Sequence, residues 1–339
     1  MMKQSRIRRL FALFFVGAAL AFCAVACTKK GAAGARGESI TVVATNFPLY
    51  DFVREVAGDK VNLSLWAPND LDAFHEFEPT EQQIKTARDA DVFLFVGGRS
   101  DAWMNRIAPE LQENARGKKV QLFSALSTVI HALAQDPDSP ETASADCCAS
   151  DTIDECCAPG SSVHDEHVWL SLKNARILVQ AIAQTLSAAD PENATFYAQN
   201  ADAYCERLKY IDFEFQDIAQ EASRKTLIFE DYFPLHYFAA DYGFDYYSPF
   251  SGCTEQQELT REQLENLVQK IKSTKTPFCF FFELDGNRKP VEAILAQAGV
   301  RMALFHSMHM VDRHAFDAGV TYADLMIQNA SNLREALCE

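Results

Sequence analysis

The sequence predicts an α/β protein of two lobes, each built on a mostly parallel sheet, with one long helix bridging them. Short β-rich runs alternate with helical periods from Ser39 to Phe123 and again from Thr226 to the last residues, which is the pattern of parallel strands linked by crossover helices. Between the two series a helical period runs from Asp190 to about Ser223, longer than a typical globular helix. The length of 339 residues also exceeds one ordinary core.

The elements follow in order. Ser39 to Ala44 is a strand, Asn46 to Gly58 a helix with Phe47, Tyr50, Phe52, Val53 and Val56 on its apolar side, and Val61 to Ala67 a second strand. A polar loop covers Pro68 to Glu78, and Pro79-Thr80 opens the next helix. Val92 to Val96 reads as a buried strand ended by Gly97-Gly98, Ser100 to Asn114 as a helix, and Val120 to Phe123 as a strand. Asp136 to His164 loses all periodicity and predicts a mobile acidic loop rich in cysteine. Lys173 to Ser187 is helical, and the bridging helix follows, with Phe196, Tyr197, Ala201, Tyr204, Leu208, Ile211, Phe215 and Ile218 as its apolar positions. The second series comprises a strand at Thr226 to Phe229, a helix from Phe233 to Tyr242 and a helix from Arg261 to Ser273. A buried strand at Phe278 to Glu283, a helix from Arg288 to Ala298, a strand at Arg301 to Phe305 and a last helix from Tyr322 to Leu337 complete it. The expected boundaries are 39–189 for the first lobe, 190–223 for the bridge and 224–339 for the second lobe.

Residues 1–26 read as a secretory signal: Lys3, Arg6, Arg8 and Arg9 precede a short apolar run from Leu10 to Val25. The run is too short for a spanning helix. Ala24-Val25-Ala26-Cys27 resembles a bacterial lipobox, with Ala24 where Leu is usual, so Cys27 is the expected lipid attachment and 27–38 a flexible tether. This places the mature chain outside the cytoplasm, anchored to a membrane. The formal charge of −16 would become −20 on loss of the four basic residues of the leader. Such a chain excludes nucleic acid and anionic lipid surfaces as partners.

The chemistry lies with histidine, which is scarce at eight residues. His75 follows a strand in Phe74-His75-Glu76, His167 ends the acidic loop in Asp165-Glu166-His167, and His306 and His309 follow a strand in Phe305-His306-Ser307-Met308-His309. Ligand sites in open α/β sheets form at the carboxyl ends of strands. Imidazole suits zinc and its first-row neighbours, and a carboxylate can complete the shell. His131, in the helical run VIHALA, reads as a surface or half-buried residue, His314 as exposed and His236 as helical packing, while His309 stands even between orienting a ligand and neither. No GxSxG nucleophile elbow is present.

The order of these motifs resembles the zinc/manganese solute-binding proteins of ABC importers, the ZnuA-like family. The segments FHEFEPTEQQIKTARDADVFLFVGG and DEHVWLSLKNARILVQAIAQTLSAADPEN carry the resemblance in the first half, and YFAADYGF, FFFELDGNRKP and AGVTYADLMIQN in the second. The resemblance covers about residues 39–339. It implies two Rossmann-like lobes, a metal site in the interlobe cleft, a divalent cargo (Zn2+, alternatively Mn2+ or Fe2+), an ABC importer permease as partner, a monomer, and no enzymatic activity. It assigns His75 and His167 as first-lobe ligands. In the second lobe the sequence departs from the family: Glu230, with Asp231 as rival, stands for the third ligand, His306 for the fourth, and Glu283 is a further ligand or a partner that orients a histidine. The cysteine pairs Cys147-Cys148 and Cys156-Cys157, with His164, could form disulfides across the loop or an auxiliary metal site. The rival classes are a zinc hydrolase, which needs an open coordination position and a base, and a surface adhesin on the same fold.

Overall fold

A computed structural model describes residues 39–66, 79–98, 101–111, 120–135, 165–230, 233–250, 259–283, 291–292, 295–296, 299–309 and 311–338. The expected signal, the lipid site at Cys27 and the acidic cysteine loop lie outside these residues.

The first half builds a parallel sheet from β1 (Thr41–Ala44), β2 (Asn62–Leu65), β3 (Val92–Phe95) and β4 (Gln121–Ser124), in the order β2-β1-β3-β4. In the second half β5 (Thr226–Ile228) pairs in parallel with β6 (Asp245–Tyr247), and β7 (Phe278–Phe281) with β8 (Arg301–Leu304). A parallel bridge from Phe229 to Phe280 joins the two pairs, giving β6-β5-β7-β8. Each half therefore places its strands second, first, third, fourth. The order reverses between β1 and β3 and between β5 and β7, and ligands of open α/β sheets bind at such switch points.

The helices are α1 (Phe47–Ala57), α2 (Glu81–Asp89), α3 (Met104–Ile107), α4 (Ala125–Gln135), α5 (Leu172–Ala189), α6 (Ala194–Glu221), α7 (His236–Tyr242), α8 (Arg261–Thr274), α9 (Arg313–Asp317) and α10 (Tyr322–Cys338). None of the described helices is long and apolar enough to cross a membrane. The bridging helix is α6, whose 28 residues span about 42 Å at the usual rise. Its expected first turn is instead a 3-10 turn, Pro191–Asn193. The helix expected over Ser100–Asn114 is cut short: α3 gives way to a 3-10 turn at Ala108–Leu111, where Pro109 has no N–H to continue it. Likewise α7 starts at His236 and not Phe233, because the residue before Pro234 is driven out of the helical region. Of the helix expected at Arg288–Ala298, residues 291, 292, 295 and 296 are described and helical. Two short elements escaped the sequence reading, β6 and α9, neither of which has an apolar run to announce it.

Burial alternates along the strands as period-two side chains require. Val92 and Leu94 of β3 face one core with α5, α6 and α10, while Phe93 and Phe95 face a second with Trp66, Trp103 and Met104. In β7, Phe278 and Phe280 face the same large core and Cys279 the opposite side with Ile271 and Leu295. The inner faces of both sheets thus share one continuous core around α6, and Ile40–Glu339 forms a single contact unit.

Buried carboxylates fasten the joints. Asp51 of α1 accepts the Tyr322 N–H at 2.6 Å, capping α10, and is paired with Arg54, which donates to the Val320 carbonyl at 2.7 Å. Asp101 accepts the Val96 and Gly97 N–H groups at 2.7 and 3.0 Å and so holds the turn after β3. In that turn Gly98 has φ +80°, and a Cβ there would lie 2.5 Å from Glu166 Oε2, so only glycine lets the turn meet the segment carrying His167.

Burial raises Asp101 from 3.8 to about 7 and Asp51 to about 6, against their hydrogen bonds. The folded chain holds these protons more tightly than the unfolded chain. Their stabilisation is therefore complete below about pH 4 and is lost as pH rises through about 6 for Asp51 and about 7 for Asp101. Asp101→Asn keeps an oxygen acceptor for the turn and has no charge to bury. Between about pH 5 and pH 8, metal-free wild type should lose on the order of 3 kcal/mol more stability than the variant. Urea denaturation at the two pH values checks this, and parallel losses would contradict it.

Candidate metal centre

Two segments meet at the site. The first, residues 165–171, leads into α5. Asp165 accepts the His167 backbone N–H at 3.0 Å and also bonds the His167 Nδ1, a local turn that fixes the ring. A 3-10 turn, Val168–Leu170, follows, and Ser171 caps α5 by accepting from the Asn174 N–H at 3.1 Å. All residues from Glu166 to Ser171 are buried.

The second segment is the run from Phe305 to His309 after β8. Buried Asn329 of α10 clamps the His306 backbone, accepting its N–H at 2.7 Å and donating to its carbonyl at 3.0 Å. Glu283, at the end of β7, accepts the Ser307 N–H at 2.7 Å and its hydroxyl at 2.8 Å. Burial raises the Glu283 carboxyl, opposed by these bonds. Met308 is buried with φ +59°, a left-handed conformation that is uncommon outside glycine and turns the chain sharply. Trp169 Nε1 donates to the Ser307 carbonyl at 2.9 Å and locks the two segments together. The Tyr322 hydroxyl in turn donates to the Trp169 carbonyl at 2.6 Å.

The result is a pair of imidazoles face to face: His167 Nε2 and His309 Nε2 lie 2.7 Å apart, both rings buried. The Trp169 ring stands 5.3 Å from each, edge-on, as a dry wall. The other ring nitrogens are committed. His167 Nδ1 meets the Asp165 carboxylate, which accepts only, so that nitrogen carries a proton. His309 Nδ1 lies 3.1 Å from Ser307 Oγ; with Glu283 ionised the Ser307 hydrogen goes to that carboxylate, and Nδ1 then carries a proton. In their neutral forms both rings then aim a lone pair at the same point. A cation between them, one shared proton or a metal ion, satisfies both. Burial tends to raise Asp165, yet the charge of His167 and the bonds from His167 and His236 hold it well below the usual carboxylate range.

The expected ligands fall out unevenly. His167 is in the pair. The histidine facing it is His309; the His306 ring turns toward α10, with Nε2 3.1 Å from Gln328 Oε1. Glu230 is buried at the end of β5, where its N–H donates to the Phe280 carbonyl at 3.0 Å. Glu283 reaches His309 through Ser307. His75, Asp231, Cys147, Cys148, Cys156, Cys157 and His164 lie outside the described residues. Among the described residues no group of three or more His, Cys, Asp or Glu side chains is set to hold a metal ion. His131 and His314 are exposed. His236, read from the sequence as packing, is half-exposed and bonds Asp165 Oδ2 at 2.8 Å. The Asp two residues before His167 was the available signal for this arrangement; the left-handed turn at Met308 left none.

Comparison with known proteins gives three kinds of likeness. Residues 42–336 match the family model described as ZnuA, zinc-uptake complex component A, periplasmic. The high-affinity zinc uptake system protein ZnuA of Bacillus subtilis is 26% identical over 95% of this chain and 96% of its own length. The manganese ABC transporter substrate-binding lipoprotein PsaA of Streptococcus mitis is 28% identical over 99% of this chain and all of its own. The crystal structure of the Zn(II)-bound ZnuA-like domain of Streptococcus pneumoniae AdcA superposes with a TM-score of 0.69 at 24% identity, covering 89% of this chain and 100% of that one.

Asp165→Ala removes the acceptor that sets the His167 tautomer. Zinc affinity should fall about 10- to 100-fold, as it does when such supporting partners are lost elsewhere. A competition titration against a chromophoric chelator measures this, and unchanged affinity would contradict the assigned tautomer.

Proposed function

We infer function from one premise: the chain belongs to the ZnuA family of periplasmic zinc-uptake components, whose members capture a divalent metal ion for an ABC importer. Its place is therefore outside the cytoplasm, with an importer as partner. We propose further that the cargo is zinc and that it is held between His167 and His309. The observation that carries this is the pair of Nε2 atoms 2.7 Å apart with both Nδ1 atoms committed to acceptors. Zinc binds imidazole at about 2.0–2.1 Å, so a tetrahedral ion would spread the two nitrogens to roughly 3.3 Å. A small rotation of the rings, with the outer hydrogen bonds kept, achieves that. Two imidazoles favour zinc over manganese, whose preference is for oxygen.

His75 and one of Glu230 or Asp231 complete the shell in this reading, closing it to substrate and to water. A closed shell suits a carrier and not a hydrolase, which keeps a position open. The lobes are 39–189 and 224–339, with 190–223 between them. The protein acts as a monomer, held near its importer by lipid on Cys27. The shared core around α6 supports small closure movements. Proton release accompanies capture, because the ion displaces the proton between the rings; affinity falls as pH falls.

Calorimetric titration tests the reading. Wild type should bind one zinc ion more tightly than manganese, His167→Ala and His309→Ala should each weaken zinc by about 100-fold or more, and His306→Ala should change it little. Strong loss in His306→Ala with none in His309→Ala would reverse the assignment.

A further inference from the structure

His236 is tied to the same carboxylate as His167 but looks outward. It opens α7, its side chain is 48% exposed, and its Nδ1 lies 2.8 Å from Asp165 Oδ2. The carboxylate accepts only, so Nδ1 carries the proton and the neutral ring keeps its lone pair on Nε2. That is the tautomer assigned to His167, and Nε2 has no hydrogen-bond partner among the described residues. The ring is also held in place. Phe233 and Tyr246 stack on each other at 3.7 Å and 3°, and both meet the His236 ring edge-on, at 5.5 and 5.4 Å. Tyr246 is itself exposed, so this small aromatic frame stands at the surface. A histidine needed only for packing would not stand half-exposed with its donor on a carboxylate that also holds a buried histidine.

We propose that His236 is an outer metal-contact residue, which takes an incoming divalent transition-metal ion on Nε2 before the ion passes to the buried His167–His309 pair. The inference rests on reading that pair as the metal site. The step is ligand exchange: one water leaves the hydrated ion as Nε2 binds, and Nε2 is later replaced by the inner nitrogens. A single exposed imidazole holds the ion weakly and so releases it readily. Asp165 serves both positions, since its two oxygens orient the outer and the inner ring. The cation is thus never far from the one carboxylate.

Stopped-flow mixing of the full chain with zinc, followed by competition with a fluorescent chelator, tests this. In His236→Asn the amide nitrogen takes the place of Nδ1 and keeps the bond to Asp165, while Nε2 is gone. Association should slow about threefold or more, dissociation should slow in parallel, and equilibrium affinity should stay within about twofold. Association at the wild-type rate overturns the inference. So does slow association with an equal loss of affinity, which marks His236 as a residue that merely positions Asp165. Wild type that takes up no zinc overturns the reading of the pair and the inference with it; wild type that binds, beside an indistinguishable His236→Asn, overturns the inference alone.

Discussion

Two imidazole lone pairs aimed at one point form the constraint on which the rest of this structure turns. Left alone, His167 and His309 would repel at 2.7 Å. They are kept there because each ring is fixed from behind, His167 by Asp165 and His309 by Ser307 on Glu283. The supports continue outward without a gap. Trp169 ties the two segments through the Ser307 carbonyl, Tyr322 holds Trp169, and Asp51 caps the helix that carries Tyr322. A polar chain of this length through a core is costly unless every member is bonded, and these members are bonded. Its product is a pair of facing ring nitrogens that a cation can satisfy.

The fold makes this chain short. Both halves run their strands in the same spatial order, so the carboxyl ends of β3, β5, β7 and β8 deliver the Gly97–Gly98 turn, Glu230, Glu283 and the segment from Phe305 to His309. The inner faces of both sheets bury against one core around α6. Stacked rings such as Phe229 on Phe282, 4.8 Å apart, pack edge-on against Phe305, the residue before His306. A continuous core of this kind resists wide hinge opening.

Much of this was legible in the sequence, for reasons that can be named. VFLFV and FCFFFE have residues that fit buried strands on both faces, and the long period from Asp190 to Ser223 has no reading but a helix. Three-residue β6, with two exposed side chains, carries too little apolar signal to be seen. At the site, His167 was legible through the resemblance of the segment DEHVWLSLKNARILVQAIAQTLSAADPEN to the family's ligand motif, not through its placement alone. His309 was not: spacing places it three residues beyond His306, and only the left-handed Met308 turns it inward while Asn329 holds the His306 backbone aside. The role of His236 was hidden for a related reason. Pro234 moves the start of α7, which changes His236 from a side of the helix to its end. In both cases one backbone feature, not residue chemistry, decided which histidine faces what.

The most direct measurement is an anomalous-scattering map at the zinc absorption edge from crystals of the zinc-loaded protein. The account expects one strong peak about 2.0–2.1 Å from both His167 Nε2 and His309 Nε2, with Asp165 and Ser307 still on their Nδ1 atoms. A peak bound by His306 in place of His309, or one away from His167, would contradict it.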